Sequence, residues 1–171
     1  MIDLKLVITD IDGVWTDGGM YYDNLGNELK KFNTSDSAGV KFLKFNNIDL
    51  AIITGENTDI VKRRSDKLGI KYLKQGSKNK IQDAIKIWEE LNIKPEETAY
   101  IGDDIIDLPL LKIVGISGCP KNSPDYIKKY CKWVGEKNGG EGAFREFVEY
   151  LLSQNNLLEK TINKICDEDN F

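Results

Sequence analysis

Carboxylates, a threonine and a lysine recur along this chain at positions that suit one shared task. Asp10 and Asp12 close the run Leu6-Val7-Ile8-Thr9-Asp10-Ile11-Asp12-Gly13. Residues two apart in extended chain point the same way, so both carboxylates face one ligand, and Gly13 lets the backbone turn sharply behind them. Two such charges a few ångströms apart repel by about 4 kcal/mol at an effective dielectric near 20, so the pair calls for a cation or a shared proton. Thr54 and Gly55 end a second apolar run, where a hydroxyl and backbone N–H groups leading into a helix form an anion cradle. Lys80 opens a later helix, and Gly102-Asp103-Asp104-Ile105-Ile106-Asp107 supplies a second acidic group. An enzyme built on these groups would run its chemistry on carboxylates, lysine, hydroxyls and a hard metal.

Each feature alone has an ordinary explanation. Asp12-Gly13 also suits a plain strand-to-turn junction, Thr54-Gly55 a simple turn, and Lys80 a solvated helix position. Acids in a first helical turn answer the helix dipole, which accounts for Asp104 or Asp107 but not for Asp103 as well. The coincidence of all of them at strand ends is the signal.

Composition narrows the chemistry. The sequence contains no histidine, which excludes Ser-His-Asp and Cys-His nucleophiles and any histidine-ligated metal. Cys119, Cys131 and Cys166 form no C-x-x-C pair, so they are read as apolar fillers rather than a zinc site or disulfide framework. With 24 basic against 28 acidic residues the net charge is −4, which argues against a nucleic-acid surface. No segment has the apolar length to span a bilayer, and acidic Asp3 stands where a signal peptide would be basic; a cytoplasmic protein is expected.

The elements that must position these groups alternate along the chain. Strands are expected at 6–8, 49–55, 70–73, 97–101, 113–116 and 132–134, and helices after Asn33-Thr34-Ser35-Asp36, over 57–67, from Lys80, from Ser123-Pro124 and after Gly139-Gly140-Glu141-Gly142. In the helix from Lys80, Ile81, Ala84, Ile85, Trp88 and Leu91 are read as one apolar face. Asp36 either caps its helix or faces substrate. A hairpin over 18–32, with Met20-Tyr21-Tyr22 on one arm, must bury its aromatic residues on the core or on another subunit. The alternation predicts an α/β fold: an open, doubly wound, mostly parallel sheet in one domain over 1–153. Residues 154–171 are read as an extension, either a short amphipathic helix around 157–165 or disordered.

At this point the sequence resembles the haloacid-dehalogenase superfamily of phosphatases, a Rossmann-like fold whose four motifs appear in order: D-I-D-G-V-W-T-D-G from Asp10, Ile53-Thr54-Gly55, Lys80, and G-D-D-I-I-D from Gly102. The resemblance implies that Asp10 is the nucleophile forming an aspartyl-phosphate and that Asp12 is the acid that protonates the leaving group and later activates water. It implies Mg²⁺ held by Asp10, Asp103 and the backbone carbonyl of Asp12, with Thr54 and Lys80 on the phosphate. Asp104 and Asp107 would hold Lys80 and the loop in place.

The motifs leave no room for a large cap domain, so the chain resembles the capless branch, and within it phosphatases of 3-deoxy-octulosonate 8-phosphate and nonulosonate 9-phosphates. D-G-V-W-T-D-G-G-M-Y, F-N-T-S-D-S-A-G and G-G-E-G-A-F-R-E carry that narrower match. It implies a homotetramer and substrate contacts from Thr34, Asp36, Gly55, Glu56, Arg64 and Lys67. Octulosonate phosphatases usually read T-G-R after the second strand; Thr54-Gly55-Glu56, with Arg64 and Lys67 following, looks more like the phosphatase of 2-keto-3-deoxynonulosonate (KDN) 9-phosphate. Two rivals stand beside this reading. A two-component receiver domain uses similar groups, but with its acid pair first and its acceptor mid-chain. A non-catalytic domain of this fold, as found fused to sialic-acid cytidylyltransferases, would not need Asp10, Asp12, Lys80 and Asp103 intact.

Overall fold

The structure, a computed structural model, describes residues 3–168. Its centre is strand β1 (Leu6–Thr9), every residue of which is buried. Side chains alternate along a strand, so Val7 enters the core on one side of the sheet while Leu6 and Ile8 enter the core on the other. A strand greasy on both faces is stable only between two layers of helix, and that is the arrangement found.

Strand β1 is followed by a hairpin of β2 (Tyr21–Tyr22) and β3 (Glu28–Leu29), then α1 (Asp36–Phe45), β4 (Asp49–Ile53), α2 (Asp59–Leu68), β5 (Tyr72–Lys74) and α3 (Lys80–Leu91). A 3₁₀ turn at Pro95–Glu97 leads into β6 (Thr98–Ile101), α4 (Leu108–Leu111), β7 (Ile116–Cys119), α5 (Asp125–Lys128), β8 (Trp133–Val134), α6 (Ala143–Gln154) and α7 (Leu158–Glu168). The main sheet has the order β5-β4-β1-β6-β7-β8, with every neighbouring pair parallel. Val40, Leu43, Val61, Phe144, Phe147 and Leu151 fill one layer; Ala84, Ile87, Trp88, Leu110 and Ile127 fill the other. The chain moves outward from β1 through β4 and β5, then returns to the opposite side at β6. The order therefore reverses at β1/β6, and the carboxyl end of such a junction is where an open α/β sheet leaves a crevice for ligands.

The doubly wound fold without a cap is as expected, while several details differ. The strand expected over 113–116 lies instead at β7. Val114 and Gly115 form a turn, with Gly115 N–H donating to Pro95 O at 3.0 Å, and a Cβ at Gly115 would overlap the Glu96 carbonyl. In α3 the buried stripe runs through Lys80, Ala84, Ile87 and Trp88, leaving Ile85 41% exposed. An apolar-only count missed that Lys80 belongs to the buried face, and so rotated the helix. The strand expected over 70–73 is β5, displaced toward the carboxyl end.

The hairpin does not bury its tyrosines on its own core: Tyr21 is 44% and Tyr22 66% exposed. Its turn is ordered by Asp23, whose Oδ1 accepts from the Leu25 and Asn27 N–H groups at 2.8 Å each. Helix α7 lies against α1 and α6 through Leu158 and Ile165, and Asn46 Nδ2 donates to Thr161 Oγ1 at 2.8 Å. Residues 169–171 of the expected extension, like residues 1 and 2, lie outside the described residues. Cys119 is buried as a filler and Cys131 is half-buried, but Cys166 is exposed. Among the described residues no helix is long and apolar enough to cross a membrane.

Candidate active site

Asp10 stands one residue past β1, held by its N–H donating to Ile101 O of the neighbouring β6 at 3.0 Å. The chain then closes a tight turn in which Ile11 O accepts from the N–H groups of Val14, Trp15 and Thr16. Gly13 makes the turn at φ +82°, and a Cβ there would overlap the Asp103 carboxylate. Only glycine satisfies both demands. Trp15 locks the turn from beneath: its indole N–H donates to Thr9 Oγ1 at 2.9 Å and its ring stacks on Phe144 at 4.5 Å.

Lys80, at the start of α3, ties the ends of β1 and β6 together. Its Nζ is 2.8 Å from Asp10 Oδ2 and 2.6 Å from Asp107 Oδ1, with the Tyr100 hydroxyl at 3.4 Å. Tyr100 O–H donates to the same Asp107 oxygen at 2.5 Å, and Asp107 Oδ2 accepts from the N–H groups of Asp103 and Asp104 at 2.9 and 3.1 Å. Both Asp107 oxygens are thus occupied, and it braces the lysine and the loop. The Asp104 side chain takes no part in that brace; its Oδ1 accepts from the Ile105 N–H. Burial works to lower the Lys80 ammonium, but Asp10 and Asp107 outweigh it and hold it above its usual value.

The acids fare differently. Burial, then the charges of Asp10, Asp107 and Asp104, pushes the Asp103 carboxyl up to about 8. Asp10 is pushed up to about 6, with burial the largest cause and Lys80 opposing it. Oxygens of Asp10, Asp103 and Asp107 lie within 4.8 Å of one another, and Asp103 Oδ1 is buried with no hydrogen-bond partner. Hard oxygen donors, crowded negative charge and an unanswered buried oxygen together fit a divalent cation such as Mg²⁺. With Asp107 committed to Lys80, the donors left for it are Asp10, Asp103 and the nearby backbone.

Above the acids opens a pocket of about 260 Å³ lined by Asp10, Asp12, Thr54, Gly55, Glu56, Asp103 and Asp104, with Gly13, Gly18 and Ile106 at its edges. Thr54 is placed there by its N–H donating to Lys74 O at 2.9 Å and its carbonyl accepting from Ser77 N–H at 3.0 Å. Glu56 is exposed at the rim.

The profile of the family described as haloacid dehalogenase-like hydrolase matches residues 21–115. The chain is 38% identical to the 3-deoxy-D-manno-octulosonate 8-phosphate phosphatase KdsC of Haemophilus influenzae, over 88% of this chain and 83% of that protein. It belongs to the haloacid dehalogenase-like hydrolases. Two solved structures share the fold of this hydrolase. The octulosonate 8-phosphate phosphatase of Yersinia pestis superposes with a TM-score of 0.89 at 38% identity, covering 92% of this chain and 85% of that one. The enzyme of Moraxella catarrhalis, solved in complex with a magnesium ion, a phosphate ion and a KDO molecule, superposes with a TM-score of 0.91 at 34% identity, covering 95% and 94%.

Within the hydrolase, Asp10, Asp12, Thr54, Gly55, Glu56, Asp103 and Asp104 converge on one pocket, with Lys80 bonded to Asp10 beneath it. Four residues expected on substrate do not line that pocket: Thr34, Asp36, Arg64 and Lys67. Asp36 is fully buried, accepting from the Arg145 N–H at 3.0 Å. Arg64 donates through Nη2 to Ser37 Oγ at 3.0 Å and lies over the Phe32 ring. Thr34 and Lys67 are exposed. The loop 139–142 packs against its own chain, with Gly140 N–H donating to Val14 O at 3.0 Å.

Two residues that bear on the site escaped the sequence reading. Tyr100 lies within β6, all four residues of which are buried, so burial does not set it apart from its neighbours. Lys30 lies in the second arm of the expected hairpin and was not singled out; its side chain is 2% exposed and its Nζ is 2.6 Å from Asp12 Oδ1. Only its period-two relation to Phe32 hinted at burial.

Proposed function

We propose that this hydrolase is a Mg²⁺-dependent phosphatase of 2-keto-3-deoxy sugar-acid phosphates, acting through an aspartyl-phosphate on Asp10, and that its substrate is KDN 9-phosphate. The observation that carries the chemistry is the meeting of Asp10, Asp12 and Asp103 at one pocket, with Lys80 paired to Asp10 beneath it and with Asp12 Oδ2 and Asp103 Oδ1 both buried and unpaired. Mg²⁺, held by Asp10, Asp103 and the Asp12 carbonyl, would supply positive charge for the phosphoryl oxygens.

The Asp10 carboxylate attacks phosphorus and forms a new O–P bond as the P–O bond to the sugar breaks. Asp12 Oδ2 gives its proton to the departing alkoxide. In the second half Asp12 takes a proton from water, the resulting oxygen attacks phosphorus, and the Asp10–phosphorus bond breaks to release inorganic phosphate and restore the carboxylate. Lys80 offsets charge on Asp10 throughout, and Thr54 donates a hydrogen bond to the phosphoryl group.

Glu56 at the pocket rim supports the nine-carbon substrate, since a carboxylate accepts hydrogen bonds from sugar hydroxyls. The names of the relatives favour a second reading, 3-deoxy-D-manno-octulosonate 8-phosphate. Hydrolysis of both esters side by side, with wild type and Asp10→Asn, tests this: the variant loses Mg²⁺-dependent phosphate release on either ester while keeping its fold, and the nine-carbon ester is preferred. Activity retained in Asp10→Asn sinks the nucleophile; equal rates on the two esters sink the use of Glu56 as a discriminator.

A further inference from the structure

The two oxygens of Asp12 have opposite surroundings. Oδ1 receives two donors, Lys30 Nζ at 2.6 Å and Thr16 Oγ1 at 3.2 Å, whereas Oδ2 is buried and partnerless. Those donors come from the two arms of the hairpin, which are joined at its base by an antiparallel bridge between Thr16 and Phe32. Side chains two apart in extended chain share a face, so seating Phe32 turns Lys30 inward toward Asp12. Thr16 is itself fixed, its Oγ1 accepting from the Gly18 N–H at 3.2 Å. A lysine side chain only 2% exposed needs a counter-charge, and Asp12 at 2.6 Å is nearer than Glu28 at 3.9 Å.

We propose that Lys30 is a positioning residue for Asp12: it pins Oδ1 so that Oδ2 is the oxygen presented to the leaving group. This rests on the phosphatase reading above and assigns the hairpin a role within the reaction. A carboxyl group free to turn would present its proton in several directions; one held through Oδ1 presents it in one.

The test uses the dependence on leaving group, which a merely structural role would not move. An alkyl ester, KDN 9-phosphate or 3-deoxy-D-manno-octulosonate 8-phosphate, whichever the wild type hydrolyses faster, needs a proton on its leaving oxygen; p-nitrophenyl phosphate loses a stable nitrophenolate without one. Lys30→Met is expected to lower kcat/KM at least about tenfold on the alkyl ester, through kcat with KM within about twofold, and less than about threefold on the aryl ester. Lys30→Arg, which keeps a cation in reach of Oδ1, is expected to recover most of the alkyl rate. Equal losses on both esters, or none, overturn the role of Lys30 while leaving the phosphatase reading intact. A wild type that hydrolyses none of KDN 9-phosphate, 3-deoxy-D-manno-octulosonate 8-phosphate and p-nitrophenyl phosphate overturns both. If the wild type hydrolyses only the alkyl ester, recovery in Lys30→Arg supports the role and its failure overturns it. Should Lys30→Met fail to fold, Lys30→Gln takes its place in the same comparison.

Discussion

Asp107 shows how one buried carboxylate serves a site without facing its substrate. It accepts from Lys80 and Tyr100 on one oxygen and from two backbone N–H groups on the other. Asn at this position has one acceptor end and one donor end, so an amide N–H group must face donors whichever way it is turned. Asp107→Asn is expected to cost about 2–3 kcal/mol, because Lys80 keeps Asp10 but loses its second counter-charge. A fall of about 5–10 °C in the melting midpoint checks this; an unchanged midpoint would show that the brace contributes nothing. The residues that line the pocket share a property visible in the chain: Asp10, Thr54 and Asp103 each follow a buried β-branched or aromatic run and so must sit at the same end of a parallel sheet. Lys30 and Tyr100 share no such local mark. Their part depends on which distant carboxylate they meet, which periodicity does not encode.

Helices α1 and α6 meet at their amino ends, where Asp36 receives the Arg145 N–H. Burial, opposed by that hydrogen bond and by Arg64, Lys137 and Arg145, pushes its carboxyl up to about 6 from 3.8. The folded state therefore holds this proton between about pH 4 and 6 where the unfolded chain has lost it, and the stability it contributes fades as pH rises through that window. Asp36→Asn, which cannot ionise, is expected to gain on wild type by about 2 kcal/mol between pH 4 and 7. Denaturant melts of the two proteins at several pH values measure that difference, and parallel curves would refute it. The starts of elements were legible where apolar runs were continuous, as in β1 and β4, although β4 ends at Ile53, two residues before the expected Gly55. They were not legible at β7, whose Ser117 and Gly118 look like loop. Gly118 is small because the Phe147 ring of α6 packs against it, a demand imposed by the opposite layer.

Over the whole molecule, the hairpin is the feature that its own chain does not complete. Met20, Tyr21, Tyr22, Leu25 and Leu29 are each at least 44% exposed, a concentration of apolar side chains that fits association with further copies. We propose the homotetramer implied by the resemblance, and sedimentation should give four times the 19.4 kDa chain mass. The double substitution Tyr22→Ser with Leu29→Ser should yield smaller species, and a monomeric wild type would refute the assembly.

The position of β1 has one more outcome. Both of its sheet neighbours are encoded after it, β6 much later, so during synthesis Leu6, Val7 and Ile8 are exposed long before their shelter exists. A ribosome halted before Tyr100 would display a sticky, half-paired ribbon, and such stalled fragments should recruit chaperones where the finished polypeptide does not.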